Sequence, residues 1–398
     1  MWDSEHAWRP SRRRVLGALA ASAAAAPLLT GEAAAGTKQE LLYLGTWRGA
    51  QVTGARFDPE AGTMTPFGTV AQVNSSWQAK HPSKPVLYVG SGDAGGTVSA
   101  FLIDRGSGAL DLIGQVTTDS AGTPGGLSYI GTDQPSGTVL AANFAAGLVA
   151  ALPIRRDGGL GSPASVVVDT GSGPNPRQAG PHPHHVVVDP SGRYALVADF
   201  GADRVFVYRF NRATRELSAG EASGPPSYAG EASGPPSYAT NPGSGPRRLA
   251  FHPNGRNLYL LNELTADLHA LDWDPGKGRI TPGQSLPIDA PGHTGVKSGG
   301  ELGMSRDGRF VYASNRGDNT IVVFATDRRT GRLTLVQRVP CGGLSPWSFT
   351  IHRGGRWMLV ANQVSSTVNL FGVDPRSGRL TDTGTSMPVP NPDCITFG

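Results

Sequence analysis

Three features of the sequence predict an all-β chain folded as a seven-bladed β-propeller with four antiparallel strands per blade. Seven short apolar strands recur about every 50 residues, and each is followed by a second strand and a Gly-marked turn. The chain also begins on one strand and ends on a lone one, so its two ends can complete a single blade and close the ring. Composition agrees. Among 398 residues there are 55 Gly and 32 Pro, well above the usual share of about 12%, yet there is no Gly period of three, which excludes collagen. With 38% hydrophobic and 17% charged residues, the chain is too apolar and too weakly charged to be disordered.

The first segment reads as an address. Ser11-Arg12-Arg13-Arg14-Val15-Leu16-Gly17 leads into an Ala-rich apolar stretch ending near Leu29, and Ala33-Ala34-Ala35 offers small residues for cleavage. The consecutive arginines predict a twin-arginine-type signal over residues 1–35 and an exported protein, secreted or held in the cell envelope. The apolar stretch falls short of the ~20 residues that a membrane span needs, so no span is expected after the signal is removed.

The strands called b, second from the axis, come next in each blade. They are Leu42-Tyr43-Leu44-Gly45-Thr46, Leu87-Tyr88-Val89-Gly90-Ser91, Val139-Leu140-Ala141-Ala142-Asn143, Ala195-Leu196-Val197-Ala198-Asp199, Leu258-Tyr259-Leu260-Leu261-Asn262, Val311-Tyr312-Ala313-Ser314-Asn315 and Met358-Leu359-Val360-Ala361-Asn362. The turn-closing residues Met64, Leu110, Leu160, Leu217, Ile280, Leu333 and Leu380 lie 46, 50, 57, 63, 53 and 47 residues apart. The longest gap contains an identical tandem decamer, Gly220–Ala229 and Gly230–Ala239. Residues 218–246 therefore read as a flexible Gly/Pro/Ser-rich insertion between blades four and five, and the propeller domain runs over 36–398.

The basic excess is small and scattered, with only five Lys and no interleaving of cations with aromatics, so a nucleic-acid partner is not expected. Cys341 and Cys394 fit neither zinc spacing nor a C-x-x-C motif, and export leaves a single disulfide between them open. A monomer is expected.

The start of the innermost strand a and the end of strand b emerge at the same mouth of the ring. His81, His252 and His352 fall at the opposite a–b turns and read as turn-formers. Pro181-His182-Pro183-His184-His185 sits at the mouth in blade four, with His185 on the other strand face from His184. The column Thr46, Ser91, Asn143, Asp199, Asn262, Asn315 and Asn362 reads as scaffold, because such side chains satisfy loop backbone groups. The residue after it varies: Trp47, Gly92, Phe144, Phe200, Glu263, Arg316 and Gln363. Arg247 and Glu301, near the starts of strands a in blades five and six, belong to the same mouth. Two His, two Arg and two Glu at one funnel suit attack on an ester-like carbonyl, with arginines binding a carboxylate or oxyanion and Glu or His moving a proton. Arginines there oppose a metal cation, and no metal or other cofactor is expected.

Four stretches carry a resemblance. Pro181-His182-Pro183-His184, the run from Gly243 to Pro253, Leu261-Asn262-Glu263-Leu264 and Ser314-Asn315-Arg316-Gly317 are similar to the lactonase family of seven-bladed propellers. That family includes cycloisomerase-type 6-phosphogluconolactonases and fungal 3-carboxy-cis,cis-muconate lactonizing enzymes. The resemblance covers about residues 40–398 and implies a metal-independent site. Its acting residues would be His182 or His184, Arg247, Glu263 and Arg316, with Glu301 as a neighbour. From their places at the mouth, where the repeats differ, Glu301, Gln363, Trp347 and Phe200 are expected to line the substrate. The family often has Glu where this chain has Gly92 and Arg where it has Trp347, which implies a less charged lactone. The expected function is hydrolysis of a sugar-type or other lactone, with Glu263 as base for water and a His assisting. A muconate-type cycloisomerase and a non-catalytic propeller that binds a small molecule or partner remain as alternatives.

Overall fold

The computed structural model describes residues 39–46, 49–93, 95–119, 126–219 and 235–398. The segment expected to be a signal peptide, residues 1–35, lies outside the described residues, as do Trp47 and most of the tandem decamer. Seven antiparallel sheets account for the fold. Their innermost strands a are Pro392–Phe397 in blade 1, then Ser75–Lys80, Leu127–Asp133, Pro183–Val188, Pro246–Phe251, Gly299–Met304 and Pro346–Ile351 in blades 2 to 7. Each strand a packs against strand a of the blades before and after it, and the cycle closes between blades 7, 1 and 2. In blade 1 the C-terminal strand pairs with Glu40–Thr46, joining the two ends of the propeller as the sequence predicts.

Alternation along each strand sends apolar side chains to both sheet faces, because every blade is covered by a neighbour on each side. Seven hydrophobic clusters result, one between each pair of adjacent blades. Strand-b tyrosines latch three of these joints. Tyr43, Tyr88 and Tyr259 donate to the carbonyls of Gly108, Gly158 and Gly331 in the next blade, at 2.9 to 3.0 Å. The a–b turns use Gly192, Gly255, Gly308 and Gly355 at φ between 68° and 75°, a backbone region that favours glycine. His81, His252 and His352 cap the a–b turns of blades 2, 5 and 7 through Nδ1, which accepts main-chain N–H groups at 2.9 to 3.2 Å.

Two expectations are corrected. The insertion does not lie between blades four and five. It interrupts the outer strand of blade 4, whose two halves, Glu216–Ala219 and Ser237–Ala239, both pair with Arg204–Asn211. The later part of the 218–246 stretch is thus ordered sheet and loop, because Tyr238 and the Gly243–Gly245 turn have partners in blade 4. Cys341 and Cys394 are both free and buried in different blades, so the disulfide that the sequence leaves open does not form.

Candidate active site

A β-bulge near the start of every strand a builds the mouth. Pairing with strand b slips by one residue in all seven blades, at Asp393, Ser76, Ser128, His184, Arg247, Gly300-Glu301 and Trp347. A bulge bends the strand and re-aims the extra side chain, and this one recurs where the strands enter the channel. Four residues singled out from the sequence sit on it.

Glu263 is the centre of the outer layer. Its buried carboxylate meets Arg177 and Arg316 at 2.8 Å and Arg247 at 3.5 Å. Arg247 is 1% exposed; its Nε donates to Gly300 O at 2.8 Å and its Nη1 contacts His184 Nε2. Arg316 donates to Gly299 O at 2.9 Å. Trp347 lies beneath both, 4.5 Å from the Arg316 guanidinium and 5.4 Å from that of Arg247. His182 stacks on Phe144 with ring centroids 4.4 Å apart and planes 6° from parallel. Its Nδ1 donates to Phe144 O at 2.7 Å, which leaves Nε2 as the lone-pair nitrogen.

A second layer lies one position deeper along the strands. Arg248, also 1% exposed, meets Glu301 at 3.1 Å with its guanidinium 4.0 Å from the Trp77 ring and 5.1 Å from that of Tyr129. His185 packs on Tyr129 at 4.0 Å. These groups reach across the axis from blades 2, 3, 4, 5 and 6.

Electrostatics separate the roles. Burial alone would raise Glu263, but Arg316, Arg247 and Arg177 outweigh it and hold the carboxyl at about 2. Burial and the Arg247 and Arg248 charges push His184 well below the usual imidazole range, so its ring is neutral. Glu301 is raised by burial against the pull of Arg248 and Arg247. Nη2 of Arg247 and Nε of Arg316 are buried and make no hydrogen bond, donors that an anionic oxygen would satisfy. With four guanidinium groups facing two carboxylates, the site suits a negatively charged ligand or a developing oxyanion. Among the described residues no three His, Cys, Asp or Glu side chains gather as metal ligands.

The structure brings His184, Arg247, Glu263, Arg316 and Trp347 together, while His182 flanks them on the far side of Phe144, whose ring lies 5.8 Å from that of His184. Glu301 serves Arg248 in the deeper layer. Phe200 is fully buried and supports the Arg177 guanidinium at 4.6 Å instead of facing the mouth. Gln363 is half-buried at the end of its strand, held by its main-chain N–H to Ser345 O. Two arginines escaped sequence reasoning. Arg248 could have been found only from the bulge, since regular alternation turns it away from the side of Arg247. Arg177 sits on a single 3-10 turn, Pro176–Gln178, capped by Asn175, in a loop that has no strand register. That loop is pinned by Gln178, which donates to Phe200 O and Asp203 Oδ1 at 2.7 Å. Asp203 also accepts from Gly243 and Gly245, tying the Arg177 turn to the segment that leads into Arg247.

Comparison with known proteins agrees with this geometry. A family model described as a seven-bladed β-propeller lactonase matches residues 41–397. The chain is 31% identical over 325 residues to the 6-phosphogluconolactonase of Bacillus subtilis strain 168, covering 81% of this chain and 87% of that one. It is similar to the structure of a periplasmic gluconolactonase from Pseudomonas aeruginosa, with 34% identity and a TM-score of 0.80 over 90% of this chain and 99% of the other. A protein from Lactobacillus plantarum gives a TM-score of 0.80 at 28% identity, covering 90% of this chain and 99% of that one. With its ring closure, its bulged mouth and a match spanning nearly every strand, the chain belongs to the lactonase family of seven-bladed β-propellers.

Proposed function

We propose that this chain is an exported hydrolase that opens a sugar-type or other lactone at the Glu263 mouth. The observation that carries the reading is the set of buried arginine donors left unsatisfied around Glu263, with the His182 imidazole, its Nδ1 fixed on Phe144 O, across Phe144 from His184. Arg247 and Arg316 would bind the lactone carbonyl oxygen and stabilise the oxyanion. His182 Nε2 would take a proton from water as the oxygen attacks the carbonyl carbon. The tetrahedral intermediate would then expel the ring oxygen, which receives that proton from the imidazolium. Glu263, held at about 2 by three arginines, is a weak base near neutral pH and serves to align them. This shifts the proton-transfer role from Glu263, where the motif alone puts it, to His182. The names of the relatives from Bacillus subtilis and Pseudomonas aeruginosa support a gluconolactone-type substrate. Export rests on the arginine-led segment over residues 1–35, and the relative described as periplasmic supports it.

Proton release in weak buffer tests the reading, over glucono-δ-lactone, 6-phosphoglucono-δ-lactone and uncharged γ- and δ-lactones. Release above the spontaneous rate is expected, with the His182→Asn protein slower by about 10²-fold or more. A wild-type protein inert on the whole panel would overturn it.

A further inference from the structure

Three joints between blades share a polar contact. At each, the residue ending strand b of one blade meets the end of the outer strand of the blade before it. Asn143 Nδ2 donates to Thr118 Oγ1 at 3.1 Å, Asn315 Nδ2 to Asp289 Oδ1 at 2.7 Å, and Asn362 Nδ2 to Cys341 O at 2.9 Å. An amide donor therefore meets an oxygen at each of these joints. Between blades 3 and 4 the same place holds Asp199, and the residue opposite is Asp169.

Neither carboxyl reaches water: Asp199 is 0% exposed and Asp169 2%. Asp199 Oδ1 accepts the main-chain N–H groups of His182 and Ala202, both at 2.8 Å, with the Gly201 N–H beside it. Asp169 Oδ1 accepts the Tyr208 hydroxyl from the adjacent strand of blade 4. The other oxygen of each, Oδ2, has no hydrogen-bond donor from the protein, and the two carboxyls lie within hydrogen-bonding reach of one another. The groups facing the pair are thus Tyr208, which is neutral, and main-chain amides; the charge that Asp169 feels is that of Asp199. Two ionised carboxylates in contact and out of water repel strongly, so one of them keeps its proton.

We propose that Asp169 and Asp199 share a single proton across the joint between blades 3 and 4, and that Asp199 is thereby the positioning residue that holds His182 against Phe144. The link is direct. Asp199 accepts the His182 N–H, the Phe200 N–H donates back to His182 O at 2.9 Å, and the His182 ring lies flat on Phe144. When the shared proton leaves, the two carboxylates separate and the Pro181–His182 segment moves with Asp199. The shared proton stands independently of the reaction, whereas its effect on turnover rests on the hydrolase reading.

Burial and the neighbouring carboxyl raise Asp169, and burial raises Asp199. A raised carboxyl contributes stability that is full below its unfolded value of about 4 and is lost as pH rises through its folded value. The wild-type melting temperature is therefore expected to fall from about pH 5 toward pH 9 more steeply than that of Asp199→Asn. In that variant Nδ2 is expected to donate to Asp169 Oδ2, as the Asn amides do at the three joints above, and Oδ1 still to accept from His182. Asp169→Asn, the mirror change, is expected to flatten the curve in the same way. In ¹³C-histidine-labelled protein the His182 ring signal should shift with the midpoint of the wild-type curve and lose that shift in both variants. Identical pH curves for wild type and variants, or a His182 signal unmoved over the same range, would overturn the proposal. If lactones are turned over, the alkaline limb of the rate profile should move up by at least about one pH unit in Asp199→Asn. If none is turned over, the hydrolase reading fails, while the melting and histidine measurements still decide this one.

Discussion

Arg247 and Arg248 are consecutive in the chain and serve two layers of the channel. Arg247 meets Glu263 and His184 at the mouth, while Arg248 pairs with Glu301 between Trp77 and Tyr129 one step deeper. The bulge after Pro246 makes this possible, because it adds one residue to strand a just where the strand enters the channel.

The two arginines should therefore fail differently. Lys at 247 keeps the charge but cannot donate to Gly300 O, approach His184 and face Glu263 at once. Arg247→Lys is expected to lower kcat/KM by about 10²-fold while the melting temperature changes little. Arg248→Met leaves Glu301 buried without its cation, and about 3 kcal/mol of stability should go in a urea titration.

Glu263 should control acid stability. Its folded pKa of about 2 lies below the unfolded value of about 4.3. The stabilisation is thus full above about pH 4.3 and is lost as pH falls toward 2. Glu263→Gln is expected to be several kcal/mol less stable at neutral pH, since three guanidinium groups lose their shared anion. It should also show a flatter loss of stability between about pH 4.5 and 2 when unfolding is followed by circular dichroism.

Ring closure depends on a glycine. A Cβ on Gly45 would lie 2.4 Å from Asp393 Oδ1, 2.4 Å from Ser75 Oγ and 2.5 Å from Cys394 Sγ. These atoms belong to the strand that joins the chain ends and to the neighbouring blade, so they cannot yield independently. Gly45→Ala should cost about 1–3 kcal/mol in denaturant unfolding.

The tandem decamer should be dispensable by half. Deleting Gly220–Ala229 leaves an identical sequence leading into Ser237–Ala239, the piece that pairs with blade 4. Shortening a loop by about half lowers its closure cost by about 0.6 kcal/mol. The deleted protein is expected to melt at or slightly above the wild-type temperature and to keep its activity. A loss of several degrees would show that the first copy carries contacts of its own.

The repeat was legible because each blade solves one packing problem with the same residues. Apolar strands covered on both faces, Gly at the turns and a small polar residue (Thr, Ser, Asn or Asp) at the strand-b ends recur whatever the blade does. The turn histidines could likewise be sorted from the mouth histidines by blade equivalence alone. Phe200 shows the limit of that method, since it shares a column with Glu263 and Arg316 yet is buried as the platform for Arg177. The split outer strand of blade 4 was hidden as well, because a Gly/Pro-rich repeat masks the short Ser-Tyr-Ala segment that returns to the sheet.

Fold, ring closure and the cationic character of the mouth were thus written in residue type and spacing, which are local properties read at a fixed period. The two layers, the Arg177 contact and the Asp169–Asp199 joint were not. They depend on a one-residue bulge, on a loop without strand period and on two carboxyls 30 positions apart that meet only when neighbouring blades pack. Alternation predicts which face a side chain takes within a strand, but a bulge breaks that alternation, and only the closed ring sets which groups meet across its axis and joints.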